Sequence, residues 1–231
     1  MVKYAVITGT PGIGNSLSIY YVMWKLIKEK KRVLLMTVKP AIYFDGFTMM
    51  ECGKLPFSGN RQFWSYDLWC LMDSVDPTRI AGFPIRECSV LLVSTLRWNY
   101  ISEFKKLVPT PDVLYMPLWT KEELRTIASL YPDANKVWEN RFNYFGGVPR
   151  LVLQDIQTDP QDLLMSACHS FSLNDYIMLV TMYSEMNPIG TFIHIHSQEP
   201  YLKIGGASDR SNELAEVADK SHEDAKTSRF V

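Results

Sequence analysis

Gly9-Thr10-Pro11-Gly12-Ile13-Gly14-Asn15-Ser16 fits the phosphate-loop spacing G-x-x-x-x-G-K-[ST] at every defined position but one, where Asn15 takes the place of the lysine. The stretch follows an apolar run, Tyr4-Ala5-Val6-Ile7-Thr8. It leads into Tyr20, Met23, Trp24 and Ile27, whose i, i+3, i+4, i+7 spacing predicts the buried face of a helix. Strand, glycine loop and helix in that order are the context the motif requires.

In such a loop the glycines turn consecutive backbone N–H groups toward phosphate oxygens, and the following helix adds its unpaired N-terminal donors. Asparagine is shorter than lysine and uncharged, so position 15 supplies no cation to the β- and γ-phosphates. Loss of one preorganised electrostatic contact costs about 3–4 kcal/mol at a transition state, or roughly a hundredfold to a thousandfold in rate. The loop therefore predicts binding of ATP with Mg²⁺, with hydrolysis weakened.

The 231 residues, 47% of them hydrophobic, suffice for one large core or a core with a smaller companion. A formal net charge of −1 gives no global field toward nucleic acid or an anionic membrane, and no apolar run approaches the ~20 residues of a membrane-spanning helix. Cys52, Cys70, Cys88 and Cys168 are scattered, without C-x-x-C pairing, and read as reduced thiols. The first predicted strand begins at Tyr4 with no charged-then-apolar leader before it, which reads as a fragment or a truncated product.

Apolar, β-branched or aromatic runs recur at residues 4–8, 32–38, 66–73, 88–94 and 113–117, with helical or long crossover segments between several of them. That alternation predicts an α/β core over residues 1–118, a three-layer αβα sandwich whose sheet has five parallel strands joined by right-handed crossovers. Between Pro40 and Phe63 the rhythm breaks. Ile42-Tyr43-Phe44 and Phe47-Thr48-Met49 flank Asp45-Gly46, the signature of a hairpin inserted near residues 40–50. From Thr120 a capping box with Glu123 opens a helical stripe of Leu124, Ile127, Ala128 and Tyr131, closed by Pro132. Further helices are expected over residues 135–144, 151–154, 160–170 and 173–186, so that 119–205 reads as a small helical, lid-like subdomain. Short strands at 192–196 and 201–204 fall within it, and 206–231 reads as a polar tail.

A magnesium site in this setting needs a carboxylate at the end of a second apolar strand. Leu68-Trp69-Cys70-Leu71-Met72-Asp73 provides it, and Ser16 with Asp73 is the candidate metal pair. Ser74 stands where a catalytic glutamate often follows, which leaves Asp76 or Glu51, neither with a motif behind it, to orient water. The Ser94-Thr95 strand end would face the γ-phosphate if its strand lies between the first and the third. Arg150, in the turn Gly147-Val148-Pro149-Arg150, would swing toward the same phosphate and move the lid. The candidate catalytic set is thus Asp73, Thr95 and Arg150; the nucleotide-binding set is Gly9, Thr10, Pro11, Gly12, Ile13, Gly14, Asn15 and Ser16. His194 and His196 share a strand face but lack Cys or carboxylate partners at ligand spacing. Trp24, Trp64, Trp69, Trp98, Trp119 and Trp138 are spread over separate elements and read as packing residues.

Taken together, these segments resemble the nucleoside-triphosphatase domain of oomycete and fungal Crinkler effectors, and are similar to retrotransposon hot spot proteins of trypanosomes. The likeness covers nearly the whole chain. It rests on Gly9 to Ser16, Phe63 to Asp73, Ser94-Thr95, Tyr115 to Leu124 and, most specifically, Arg141-Phe142 followed by Phe145-Gly146-Gly147-Val148-Pro149-Arg150. It implies a P-loop ATPase of AAA or STAND type, a virulence factor secreted by a microbe and acting inside host cells, frequently in the nucleus. Many members join such a domain to an N-terminal translocation region and a C-terminal nuclease or kinase-like domain. The partners implied are a nucleotide, an unidentified host protein and further copies of the chain as a homo-oligomer. Two functional classes stand open: a Mg²⁺-dependent NTPase slowed by Asn15, and a catalytically dead pseudo-ATPase serving as an interaction or scaffold module.

Overall fold

The computed structural model of the protein describes residues 3–37, 40–76, 82–94 and 98–169. Its strands are β1 (Tyr4–Thr8), β2 (Arg32–Met36), β3 (Ala41–Phe44), β4 (Met49–Cys52), β5 (Leu68–Asp73), β6 (Ser89–Val93) and β7 (Asp112–Tyr115). They form one sheet in the order β4-β3-β2-β5-β6-β1-β7. From β2 to β7 every pairing is parallel, whereas β3 runs antiparallel to β2 and β4 antiparallel to β3. The sheet is therefore mixed and seven-stranded, not five-stranded and parallel. The hairpin is continuous with it because β2 would otherwise end the sheet as an open edge, and Ala41–Phe44 supplies the missing partners.

A helix covers each face. The α1 helix (Asn15–Lys28) packs Ile19, Met23 and Leu26 against Val33, Leu35, Leu71, Leu91 and Val93. The α2 helix (Trp98–Leu107) sets Ile101 and Phe104 against the opposite face, with Val6, Leu34, Met72 and Leu92. Strand β6 is buried throughout, as a parallel strand covered on both sides should be. The stripe predicted for α1 needs correcting: Tyr20 and Trp24 are 49% and 51% exposed. Two apolar stripes compete on this helix. The aliphatic one fits the sheet, and the aromatic one, with hydroxyl and indole groups that favour water, faces outward.

Cys70 and Cys88 are buried with their sulfurs 3.5 Å apart. The hydrogen bond between them, with burial, pushes the Cys70 thiol well above its ordinary pKa.

The β3–β4 turn is held by Asp45, whose Oδ1 accepts from Phe47 N at 2.8 Å and Thr48 N at 2.7 Å, while Gly46 adopts φ +106°. At the start of β2, Arg32 donates to Tyr43 Oη (2.9 Å), Ser65 Oγ (2.9 Å), Phe63 O (2.9 Å) and Asp67 (3.2 Å), tying the segment before β5 to the sheet. Partial burial pushes Asp67 up, but hydrogen bonds from Ser65 and Arg32 outweigh it and hold the carboxyl below the usual range. Asp45 is likewise lowered, chiefly by the Thr48 and Phe47 N–H groups. A carboxyl lowered in the folded state stabilises above its unfolded pKa and loses that contribution as pH falls through its folded pKa. Acid unfolding followed by circular dichroism should therefore begin just below the ordinary carboxylate range, and Asp45→Asn combined with Asp67→Asn should flatten that slope. An unchanged slope would assign the acid sensitivity to other carboxyls.

The second half holds α3 (Lys121–Ala128), α4 (Trp138–Phe145), a π-helical turn (Arg150–Gln154) and α5 (Pro160–His169) around a cluster of Leu124, Ala128, Trp138, Phe145, Val152 and Leu153. The capping box is present in full: Thr120 Oγ1 accepts from Glu123 N at 3.2 Å and Glu123 Oε2 accepts from Thr120 N at 2.7 Å. The next helix starts at Trp138 rather than near residue 135, because Ala134 N and Val137 N close tight turns onto Tyr131 O and Ala134 O. Arg141, only 2% exposed, donates to Leu151 O (2.8 Å), Thr158 O (2.7 Å) and Asp155 O (2.6 Å) and lies over the Phe145 ring. Burial lowers its pKa, and the charges of Asp155 and Asp159 oppose that. Asp155 N closes the π turn onto Arg150 O at 2.8 Å.

The helix expected at 173–186, the strands at 192–196 and 201–204, the tail from 206, and with them His194 and His196, lie outside the described residues. Among the described residues no helix is long and apolar enough to cross a membrane.

Candidate functional site

The glycine loop runs from the C-terminal end of β1 into α1. Gly12 and Gly14 adopt φ +90° and +107°, conformations that cost other residues strain. Gly9 is needed for room, since a Cβ there would lie 2.6 Å from Ile13 Cδ1 and 3.1 Å from Met116 O. Gly14 is the N-cap of α1, and no side chain caps the helix. The first turn contains no acidic residue, so its N–H groups and the positive end of the helix dipole are available to an anion.

Ser16, in that first turn, donates its hydroxyl to Asp73 Oδ1 at 3.0 Å. Asp73 ends β5, two strands away from β1, so the fold brings the two candidate metal ligands together across the sheet end. Ser74, at φ +53°, adds a second hydroxyl to Asp73 Oδ1 at 3.3 Å and anchors its own N–H on Val93 O at 2.8 Å. Asn15 is 5% exposed and donates Nδ2 to Gly9 O at 3.3 Å. That bond fixes the orientation of the amide and leaves Oδ1 buried without a partner among the described residues. Thr8 Oγ1 and Ser94 Oγ are buried and unpartnered in the same way. All three lie where β1 and β6 end, with Ser94 N bonded to Ile7 O at 3.0 Å. Buried polar atoms without partners are rare in folded proteins, and among the described residues three gather around this loop.

The helical half touches the loop directly. Trp119 donates its indole N–H to Ile13 O at 2.8 Å, and Arg150 N donates to Gly12 O at 3.3 Å. Trp119 is held in turn by Gly147, whose carbonyl accepts from Trp119 N at 2.9 Å. Arg150 is exposed, and its stem lies against Gly12: a Cβ added there would meet Arg150 Cβ at 3.0 Å and Cδ at 3.6 Å. No hydrogen bond joins the guanidinium to Ser16 or Asp73.

Of the residues singled out in the sequence, the structure gathers Gly9 to Ser16, Asp73 and the backbone of Arg150 at one sheet end. Thr95 lies outside the described residues; Ser94, its neighbour, closes β6 between β1 and β5. Glu51 is not at this place, for β4 is five strand positions from β1, roughly 24 Å at the usual spacing. Asp76 follows β5 at the near end. Trp119 was not assigned a role by its sequence, where it reads as one packing residue among six. Its contact with Ile13 spans 106 residues, and no local pattern carries it.

No family model and no solved structure matches the chain. Two curated proteins of Phytophthora infestans do. Crinkler effector protein 15 is 64% identical over 220 residues, 93% of this chain and 36% of the relative. Crinkler effector protein 16 is 60% identical over 232 residues, 98% of this chain and 38% of the relative. The chain thus spans a little over a third of the length of either relative, and over nearly all of its own length its homologues are Crinkler effector proteins.

Proposed function

We propose that the chain binds a nucleoside triphosphate with Mg²⁺ at the glycine loop, as a P-loop NTPase of AAA or STAND type, and hydrolyses it slowly. The observation that carries this is the Ser16–Asp73 contact at 3.0 Å, a serine and a strand-end aspartate poised beside the loop. The strand order supports it, since β6 separates β1 from β5 as in additional-strand ATPases. Ser16 and Asp73 would hold the ion, while the loop N–H groups receive the phosphates. A bound Mg²⁺ neutralises charge across the β- and γ-phosphate oxygens. The names of the relatives support a place for this domain in a longer effector delivered into host cells and, by the resemblance, acting in the nucleus.

A second reading, a pseudo-ATPase that binds without turnover, is favoured by Ser74 in the glutamate position and by the Asn15 amide folded back onto Gly9. Calorimetric titration with Mg-ATP, paired with phosphate release, separates the two. Slow hydrolysis predicts release above an Asp73→Ala control, and the pseudo-enzyme predicts binding with release equal to it. Asn15→Lys should raise release roughly a hundredfold or more if the other parts are intact. No heat and no melting shift with ATP or ADP would remove both readings.

A further inference from the structure

The outward face of α1 shows water what a helix lying on a sheet ordinarily turns inward. Leu17, Tyr21 and Trp24 follow one another at i, i+4 and i+7 on the side opposite Ile19, Met23 and Leu26, and are 70%, 59% and 51% exposed. No charged residue occurs between Gly9 and Trp24, so none interrupts the stripe. Lysines follow at once. Lys25 sets its Nζ 5.5 Å from the centre of the Tyr21 ring, and Lys28 sets its Nζ 5.5 Å from that of Trp24. Rings and ammonium groups therefore share one height above the helix. Lys30 and Lys31 are exposed just beyond, and none of these four lysines joins an ion pair among the described residues. Residues 1–40 carry seven basic side chains against one acidic, Glu29, an asymmetry that the net charge of −1 hides.

We infer that this face of α1 seats the protein on the surface of an anionic phospholipid bilayer, lying along it and not crossing it. Charge complementarity selects the occupant first: an exposed lysine cluster with a single carboxylate among it meets acidic headgroups, and each such lysine adds about fivefold in affinity. Side-chain chemistry points the same way. Tyrosine, tryptophan and lysine are received together by a headgroup layer, rings at its boundary with the acyl chains and ammonium groups toward the phosphates. The stripe is the convex outside of one helix, and a deformable lipid surface takes it in without a matching groove. A second copy of the chain fits less well, since it would meet the lysines with a face that has no carboxylate before Glu29. The inference stands apart from the nucleotide reading, because none of these side chains belongs to the glycine loop.

Cosedimentation of the full chain with vesicles, in the absence of nucleotide, tests this. The chain should partition onto vesicles of phosphatidylcholine mixed with phosphatidylserine, and roughly tenfold less or weaker still onto phosphatidylcholine alone, with binding to the mixture falling as salt is raised. Lys25→Gln combined with Lys28→Gln should weaken partitioning about thirtyfold. Tyr21→Gln combined with Trp24→Gln should weaken it about tenfold or more, whereas Tyr21→Phe with Trp24→Phe, which keeps the rings, should stay within a few-fold. These side chains are exposed, so the melting temperature should not move in any of the three. Equal partitioning onto both kinds of vesicle overturns the inference, and so does anionic binding that the glutamine pair at 21 and 24 leaves unchanged. If that pair melts early, the lysine pair decides, and full binding by it overturns the inference instead. No partitioning by the unaltered chain overturns it outright; polyglutamate binding that the lysine pair abolishes would then assign the face to an acidic protein segment.

Discussion

Gly147→Ala is expected to lower the melting temperature by roughly 6–12 °C and to free the glycine loop from the helical half. A Cβ at position 147 would lie 2.0 Å from Trp119 O and 2.6 Å from Trp119 N, both backbone atoms that no rotamer change can move. Trp119 N is bonded to Gly147 O, and the Trp119 indole to Ile13 O, so displacement of this strand of chain breaks two contacts in series. Overpacking against fixed backbone costs about 3 kcal/mol or more, and each kcal/mol shifts a chain of this size by about 2–4 °C. Gly14→Ala is the informative comparison: nothing lies within 4 Å of its Cβ, and only the φ of +107° resists, at about 1–2 kcal/mol. Calorimetric melting of the two variants should rank them in that order. Equal losses would mean that residues 119 and 147 separate without cost.

Arg141→Met should destabilise by about 3–5 kcal/mol, the cost of breaking a buried charged network, seen as a lower urea midpoint. Three carbonyls, from Leu151, Asp155 and Thr158, accept from one guanidinium at 2.6–2.8 Å. Arg141→Lys should lose most of the same stability. An ammonium is a compact point donor, and it cannot reach three acceptors spread along the edge of a planar fork. Lysine as stable as arginine at this position would show that charge, and not geometry, holds the π turn in place.

The strands and their alternation with helices were legible because parallel strands covered on both faces are continuous apolar runs, and all five runs became strands. The capping box and the Asp45-Gly46 turn were legible for a similar reason: each closes its hydrogen bonds within four residues. Where two local answers competed, local reading failed. Tyr20 and Trp24 share a helical stripe as good as that of Ile19, Met23 and Leu26, and only the shape of the sheet surface decides between them. The extension of the sheet by β3 and β4 was hidden too, since hairpin chemistry does not say which edge a hairpin joins. At the site, the loop, Ser16 and Asp73 followed from spacing, whereas the unpartnered Thr8 and Ser94 hydroxyls and the indole of Trp119 depend on contacts between distant segments.

The strand that carries the loop has a further consequence for how the chain acquires its form. β1 pairs only with β6 and β7, in registers that set Tyr4 beside Val90 and Ala5 beside Asp112. During synthesis β1 emerges well before β6 and β7 and finds no partner in the sheet until those later segments exist. The β2–β3–β4 meander, by contrast, can zip up from neighbours in sequence. Non-local closure of this kind is slow and costs loop entropy before any pairing repays it. The glycine loop is thus among the last parts of the sheet to set, although it precedes most of the sheet's strands in the chain.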